Sequence, residues 1–506
     1  MSDHERHLDV AVVGGGVSGL ACGLWLHRAG RSVLVLEASS APGGCVRTLR
    51  HEGWTFELGP NAITDPSGAV KPLCEAAGIA ARRREAEGAA AKRYIYKSEP
   101  TATKGEGSGR LLALPLSPLS FAASPLLSAR TKLGLLREPF IAPAPEDTEE
   151  SVADFVRRRL GPEFLDVLVG PFVSGIYAGD PERLSIRWAM PRIYELERQH
   201  GSLIRGALAR RKGPAPAGEP VSFPEGLEEL PRAMAGVLGE HFVLDTPVAG
   251  LERCHGGFHL EARSRNGLTR RLRADRVILA VPADVAARLL SGLAPEARAL
   301  GEIPYAPVVS VALGLRDGHF ARRLDGFGFL APGSEKLDLL GCLFSSTLFE
   351  GRTPPGCVAL TALAGGATRP EMVDLPEGAL LERILRDLRR ALGPLPDPIF
   401  HHVTRWPRAI PQYEVGHGRF VALAAAFERS FPGLHFSGNW LGGISLADCI
   451  RNASALCEGI VGGAGEKGTG TADPRAASDT RVERRAAAGL EASGCSEGEV
   501  RGWSRF

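Results

Sequence analysis

Near its start the chain alternates between short apolar runs and amphipathic stretches, and the spacing of each predicts its form. Leu8 to Val13 is a nearly unbroken apolar run, the pattern of a strand buried on both faces. Val17 to Ala29 carries helical periodicity and stops at Gly30, a residue that accepts a left-handed C-terminal cap. Ser32 to Glu37 reads as a second buried strand, so strand, helix and strand form a parallel βαβ unit. Further on, Tyr94–Tyr96 and Leu111–Leu114 are apolar runs flanking the polar, Gly/Ser-rich residues 97–109, which predicts a hairpin with an exposed excursion. Residues 118–210 read as mostly helical and end in the Pro/Gly-rich loop 212–220. Arg276 to Val281 is again a buried strand, closed by Pro282. From about Gly462 large apolar residues become scarce, and the tail is expected to remain unstructured because it cannot offset its ordering entropy.

A length of 506 residues exceeds what one core normally serves, so two or three subdomains are expected. A net charge of +2 gives no global reason to expect nucleic acid. The charged segment Met1–Asp9 is too short for a signal peptide, and no stretch approaches the ~20 apolar residues of a membrane span. The nine cysteines are scattered without C-x-x-C spacing, which argues against a metal site or disulfide framework and for a reducing cytoplasm. Residues 118–140 mix Leu126, Leu127, Leu133, Leu135 and Leu136 with Arg130, Lys132 and Arg137. That mixture suits a membrane interface or a partner; the competing reading is a core-packed helix.

The candidate chemistry begins in the first turn. Gly14, Gly16 and Gly19 form G-x-G-x-x-G, directly after a strand and opening a helix. The first glycine permits the tight turn, the second lets a pyrophosphate approach the backbone, and the third packs helix on sheet. With Gly15, Val17 and Ser18 the loop offers helix N-terminal N–H groups to phosphate. Glu37, followed by Ala38, ends the next strand near the ~20-residue spacing at which a carboxylate meets the ribose hydroxyls.

Beyond Glu37, Gly43, Gly44, Cys45 and Arg47 lie in a GG-x-x-R-T segment, which resembles that of the flavin amine oxidase superfamily. The resemblance implies FAD, held non-covalently, with Gly44, Cys45 and Arg47 continuing the cradle. Phe56 to Asn61 (FELGPN) resembles the stretch under the isoalloxazine, bringing in Gly59, Pro60 and Asn61. Asp275–Pro282 resembles the superfamily's D-x-V-I-x-A-x-P strand, and Thr246-Pro247-Val248 its adenine-side strand.

Other segments narrow the resemblance to the protoporphyrinogen oxidase family, including its coproporphyrinogen-oxidising bacterial members, over about residues 8–462. They are Gly175–Asp180 (GIYAGD), Leu184-Ser185, Pro191, Glu197, His200–Ser202, Gly326–Leu330, Gly341–Ser346, Gly365–Ala367, Ile410–Tyr413 (IPQY), Gly438-Asn439 and Gly442–Ile450. The resemblance implies that Gly175, Leu330, Leu343 and Leu363 enclose the macrocycle and that Arg93 pairs a propionate. It places Trp406 against the flavin, and the backbone of Ile444, Ser445 and Leu446 at the pyrimidine end. Asn61 is the single catalytic candidate; Cys449 reads as a small buried hydrophobe and His200 as structural.

The implied fold is α/β. It comprises a Rossmann-like FAD-binding domain (1–90, 221–285, 400–463), a mixed α+β substrate domain (91–117, 286–399), a helical insertion (118–220) and a tail (464–506). The implied reaction is oxidation of protoporphyrinogen IX by hydride transfer from a methylene bridge to flavin N5, with dioxygen reduced to peroxide, in haem biosynthesis. Coproporphyrinogen III oxidation is the first alternative. Another flavin amine or carotenoid oxidase and a non-catalytic carrier like the prenyl-protein chaperones are the others. The expected partners are the porphyrinogen and dioxygen, with no metal and no nucleic acid; peripheral membrane contact, the terminal haem-pathway enzyme and a homodimer are left open.

Overall fold

The protein was analysed as a computed structural model that describes residues 6–99, 109–115, 117–145, 148–210, 219–263, 267, 269–318, 320 and 324–462. The tail expected to be unstructured and most of the 97–109 and 212–220 loops lie outside the described residues.

The first sheet is built around Arg6–Val13, which pairs in parallel with Val33–Leu36 on one side and Thr269–Leu279 on the other. Val10, Ala11 and Val12 are fully buried because both faces of the strand are covered. The helix Val17–Arg28 covers one face together with Glu229–Leu238 and Leu446–Gly462, and Leu20, Leu24 and Met234 share their core. The other face packs on Ala283–Leu290 and Gly418–Ser430. Phe242–Val243 and Leu434–Phe436 complete the parallel part; Val248–Cys254 and Gly257–Arg263 extend it as an antiparallel hairpin.

The second sheet runs in the order Phe400–Pro411, Tyr305–Arg316, Cys357–Gly365, Leu339–Leu343, Gly328–Leu330, Arg93–Ser98 and Gly109–Ala113. The last two strands are the expected hairpin, with Tyr94 opposite Ala113. One face of the sheet is closed by the helix Glu377–Leu392, whose Leu380, Ile384 and Leu388 fall at helical spacing and are fully buried. Phe400–Pro411, expected with the dinucleotide unit, belongs instead to this sheet. It is a 12-residue strand that pairs antiparallel along Tyr305–Arg316, also 12 residues, and forms the edge. The hairpin of Thr48–His51 and Trp54–Glu57 bridges the two sheets, with Trp54, Phe56 and Phe400 stacked at centroid distances of 5.7–5.8 Å.

Between residues 117 and 210 the chain forms a layer of short helices. Its centre is ionic as well as apolar. Arg159, fully enclosed, reaches Glu138 at 3.2 Å and also Glu197, while Ser202 Oγ donates to Glu138 at 2.5 Å. Each buried charge here has a counter-charge and further hydrogen bonds, the condition under which such groups are tolerated inside. Leu126 and Leu127 are buried, as the core-packed reading of this segment has them, because the turn between Pro118–Ala123 and Ala129–Gly134 tucks them under the layer. Leu133 and Leu136 are exposed, as are Leu119 and Phe140.

Candidate functional site

The first turn of the dinucleotide unit has the geometry its glycines require. Gly14 has φ +108°, and a Cβ there would strike the Ala280 carbonyl oxygen. A Cβ at Gly19 would strike the carbonyl of Gly14, so helix and strand can close only on glycine. At Gly16, by contrast, a Cβ would meet nothing within 4 Å. This open position lies at the start of a helix with no acidic residue in its first turn, next to buried Val17 and Ser18. The cradle thus fits a diphosphate, with a helix start that carries no acidic residue in its first turn and no side-chain cap, facing free space at Gly16.

Glu37 holds the rim. Its carboxylate accepts Gly15 N–H at 2.5 Å, and Ser39 N–H and Oγ–H at 2.8 and 2.6 Å. A carboxylate has about four acceptor positions, so capacity remains for a ribose hydroxyl. Thr246 N–H donates to the Glu37 carbonyl at 2.8 Å, which seats Thr246–Val248 beside Ala38 and the carboxylate.

The GG-x-x-R-T segment is bolted to the same loop. Gly43 N–H donates to Gly15 O at 2.8 Å, and a Cβ on Gly44 would lie 3.4 Å from Gly16 Cα. Arg47 folds back on its own turn and donates to the carbonyls of Gly44, Pro42 and Ala41 at 3.0, 3.3 and 3.2 Å. Cys45 is exposed, and Gly59 packs directly on its carbonyl. Leu58 N–H donates to Arg47 O at 2.9 Å, Trp406 Nε1–H to Leu58 O at 2.7 Å, and Asn61 Nδ2–H to Gly59 O at 3.1 Å. Trp406 therefore anchors the turn carrying Gly59, Pro60 and Asn61. Below this turn Glu57 and Arg352 form a buried pair at 2.9 Å. Burial pushes the Glu57 carboxyl up, opposed by the Arg352 charge and by hydrogen bonds from Thr48 and Leu227.

At the far end of the chain Ser445 Oγ accepts Asp448 N–H at 3.0 Å and donates to Asp448 at 2.6 Å, capping the helix Leu446–Gly462. Ile444, Ser445 and Leu446 thereby present the free N–H groups of a second helix start. This helix packs on Val17–Arg28. Cys449 is buried there, and burial raises its thiol to about 12, so it is held as a thiol. A thiol so poorly ionised is a weak nucleophile.

The other side of the site is a face of the second sheet. Arg93, Gly328, Leu343 and Thr361 lie opposite one another across the strands, and Ile95, Leu330, Gly341 and Leu363 form the next such row. Directly opposed residues share a face, so Leu330, Leu343, Leu363 and Arg93 do. All four are half-buried. Arg93 lies over the Phe327 ring, 5.3 Å from its centroid. Gly175 faces them from the helix Gly170–Tyr177, and a Cβ there would strike Leu330.

Four segments far apart in sequence meet behind this face. Ala178, left-handed at φ 46°, caps the Gly175 helix, and its carbonyl accepts Ala367 N–H at 2.7 Å. Buried Gln412 donates to Tyr177 O at 2.9 Å and Ile410 O at 3.0 Å. Tyr413, 1% exposed, donates its hydroxyl hydrogen to Asn439 O and accepts Gly443 N–H at 3.0 Å. The sequence drew attention to IPQY without giving Gln412 or Tyr413 a task; their partners Tyr177 and Asn439 lie 235 and 26 residues away, beyond any local pattern. His200 packs against Gly206 of the following helix and stays outside this convergence.

A diphosphate cradle facing a second, apolar sheet is the arrangement of an FAD-dependent oxidoreductase. The chain belongs to the flavin containing amine oxidoreductase family, whose profile matches residues 17–460. It is 33% identical over 484 residues to "Protoporphyrinogen oxidase 1, chloroplastic" of Arabidopsis thaliana, covering 88% of this chain and 86% of that one. It is 28% identical over 473 residues to "Coproporphyrinogen III oxidase" of Bacillus subtilis (strain 168), covering 90% and 98%. Its fold matches a crystal structure from Exiguobacterium sp. 255-15 with a TM-score of 0.73 and 24% identity, over 91% of this chain and 99% of that one. FAD is accordingly the cofactor of this cradle.

Proposed function

We propose that the chain oxidises a porphyrinogen, preferring protoporphyrinogen IX to coproporphyrinogen III, with dioxygen as final acceptor. The observation that carries this reading is the sheet face on which Leu330, Leu343 and Leu363 form an apolar platform with one arginine, Arg93, at its edge. A porphyrinogen is a bulky apolar macrocycle with carboxylates on part of its rim. A platform with a cation at one edge suits the two-propionate molecule better, because burying an unpaired carboxylate costs several kcal/mol. The relatives named for proto- and coproporphyrinogen oxidation support the class.

FAD, when bound, supplies the hydride acceptor and passes the electrons to dioxygen, giving peroxide. The chain's own part is positioning and exclusion of water. The Gly14–Gly19 loop, Glu37 and the Gly43–Arg47 turn would hold the dinucleotide, and Ile444–Leu446 would offer N–H groups to the ring. Trp406 fixes the Leu58–Asn61 turn between cofactor and platform. Gly175 and Leu330 set the depth of the cleft, Arg93 pairs a propionate, and Asn61 is the catalytic candidate in this reading.

The dinucleotide unit in this reading comprises residues 1–90, 221–285 and 412–463, with 400–411 given to the substrate sheet. The exposed Leu119, Leu133, Leu136 and Phe140, near Arg130 and Arg137, form a peripheral membrane-docking face. No helix among the described residues is long and apolar enough to cross a membrane. Parallel assays of porphyrin fluorescence with the two porphyrinogens test the substrate assignment. The expected result is a higher kcat/KM for protoporphyrinogen IX; a clearly higher value for coproporphyrinogen III overturns the preference.

A further inference from the structure

Behind the Ile444–Leu446 turn stands a ring pair that the chemistry above does not use. His417 is 1% exposed, and its ring stacks on Tyr413 at a centroid distance of 4.3 Å. Its Nε2 lies 2.9 Å from Trp440 O. A carbonyl only accepts, so Nε2 carries the proton and Nδ1 is the bare nitrogen. Nδ1 has no partner among the described residues. Burial holds the imidazole down at about 4, so it is neutral at physiological pH. Trp188 and Phe420 close around it edge-on, each at 5.8 Å. Tyr413 in turn bonds Asn439 and Gly443, and its carbonyl accepts Ser185 N–H at 2.8 Å. Two rings thus grip the 439–443 turn from both ends, through Trp440 and through Asn439 and Gly443, and tie it to the helical layer at Ser185 and Trp188.

We infer that His417 and Tyr413 are positioning residues that hold the Ile444–Leu446 N–H groups in register with the pyrimidine end of FAD and so set how strongly the site favours the reduced cofactor. The inference rests on the FAD reading of that turn. Purely structural residues would support folding and FAD retention alone. Positioning residues also move the electronic properties of a flavin that stays bound, because donors aimed at developing charge act through fixed geometry.

The test uses the full chain loaded with FAD, comparing wild type with Tyr413→Phe, His417→Phe and His417→Gln. The readouts are FAD affinity, the visible spectrum, the two-electron midpoint potential and thermal melting. Tyr413→Phe and His417→Phe keep the packing and lose the polar grip. They are expected to retain FAD within about threefold and to lower the preference for the reduced cofactor about tenfold, or ~30 mV for a two-electron couple, with altered visible bands. His417→Gln restores an N–H donor and is expected to return most of that shift. Wild-type potential and spectrum in both Phe variants overturn the inference while leaving the FAD reading intact. Loss of FAD and of the folded state together in both Phe variants reduces the pair to scaffold and overturns it as well. A wild-type protein that takes up no FAD removes the reading and the inference with it.

Discussion

Glu37 serves two partners from one carboxylate: the loop, through Gly15 and Ser39, and in our reading the ribose. Replacing it with alanine removes a charge-assisted ribose contact worth about 1.5–3 kcal/mol. Glu37→Ala is expected to weaken FAD binding roughly 10- to 100-fold with little change in the apoprotein's circular dichroism. Wild-type flavin absorbance in the variant after dialysis against FAD-free buffer would count against the assignment. Glu37 was legible in the sequence because fingerprint spacing is a local rule. Ser39 and the Arg352 that compensates Glu57 were not. Arg352 meets Glu57 across 295 residues, and a buried ion pair leaves no periodic trace in either segment.

Among the elements, the helix Gly170–Tyr177 bears most directly on specificity in our reading, since a Cβ at Gly175 would strike Leu330 Cδ2 on the platform. Gly175→Val is expected to lower kcat/KM for the porphyrinogen at least about tenfold, as overpacking forces Leu330 or the helix to move. FAD binding should be unchanged, because the substitution touches no part of the cradle. Steady-state kinetics beside FAD titration check this, and a joint loss of both would place Gly175 in the general scaffold. The first βαβ unit and the 94–113 hairpin followed from apolar spacing and breaker residues to within two residues at each end. Residues 400–463 were grouped with the dinucleotide unit from the sequence, while Phe400–Pro411 pairs in the second sheet, because nearness in sequence says nothing about a strand's neighbour. That neighbour is fixed by the length and register of Tyr305–Arg316.

Taken whole, the molecule brings together short motifs that sequence order keeps apart: GIYAGD, the Gly365–Ala367 turn, IPQY and the Gly438–Ile450 return all meet at one junction. The sequence showed that these pieces belonged to one family but not why. Their connection is a set of long-range hydrogen bonds formed only after both sheets close. On the helical layer, Leu119, Leu133, Leu136 and Phe140 are 66–85% exposed. Apolar side chains this exposed, close to arginines, should bring the protein down with anionic liposomes at low salt and release it as salt rises. Protein left wholly in the supernatant would retire the membrane face. The central claim concerns what reaches the flavin, and a single turnover tests it without steady-state ambiguity. FAD-loaded protein mixed anaerobically with protoporphyrinogen IX should lose its flavin absorbance, since one FAD takes two of the six electrons that separate porphyrinogen from porphyrin, and admitted air should restore the flavin and let porphyrin absorbance rise. Flavin bands that stay unchanged with both protoporphyrinogen IX and coproporphyrinogen III would contradict the account.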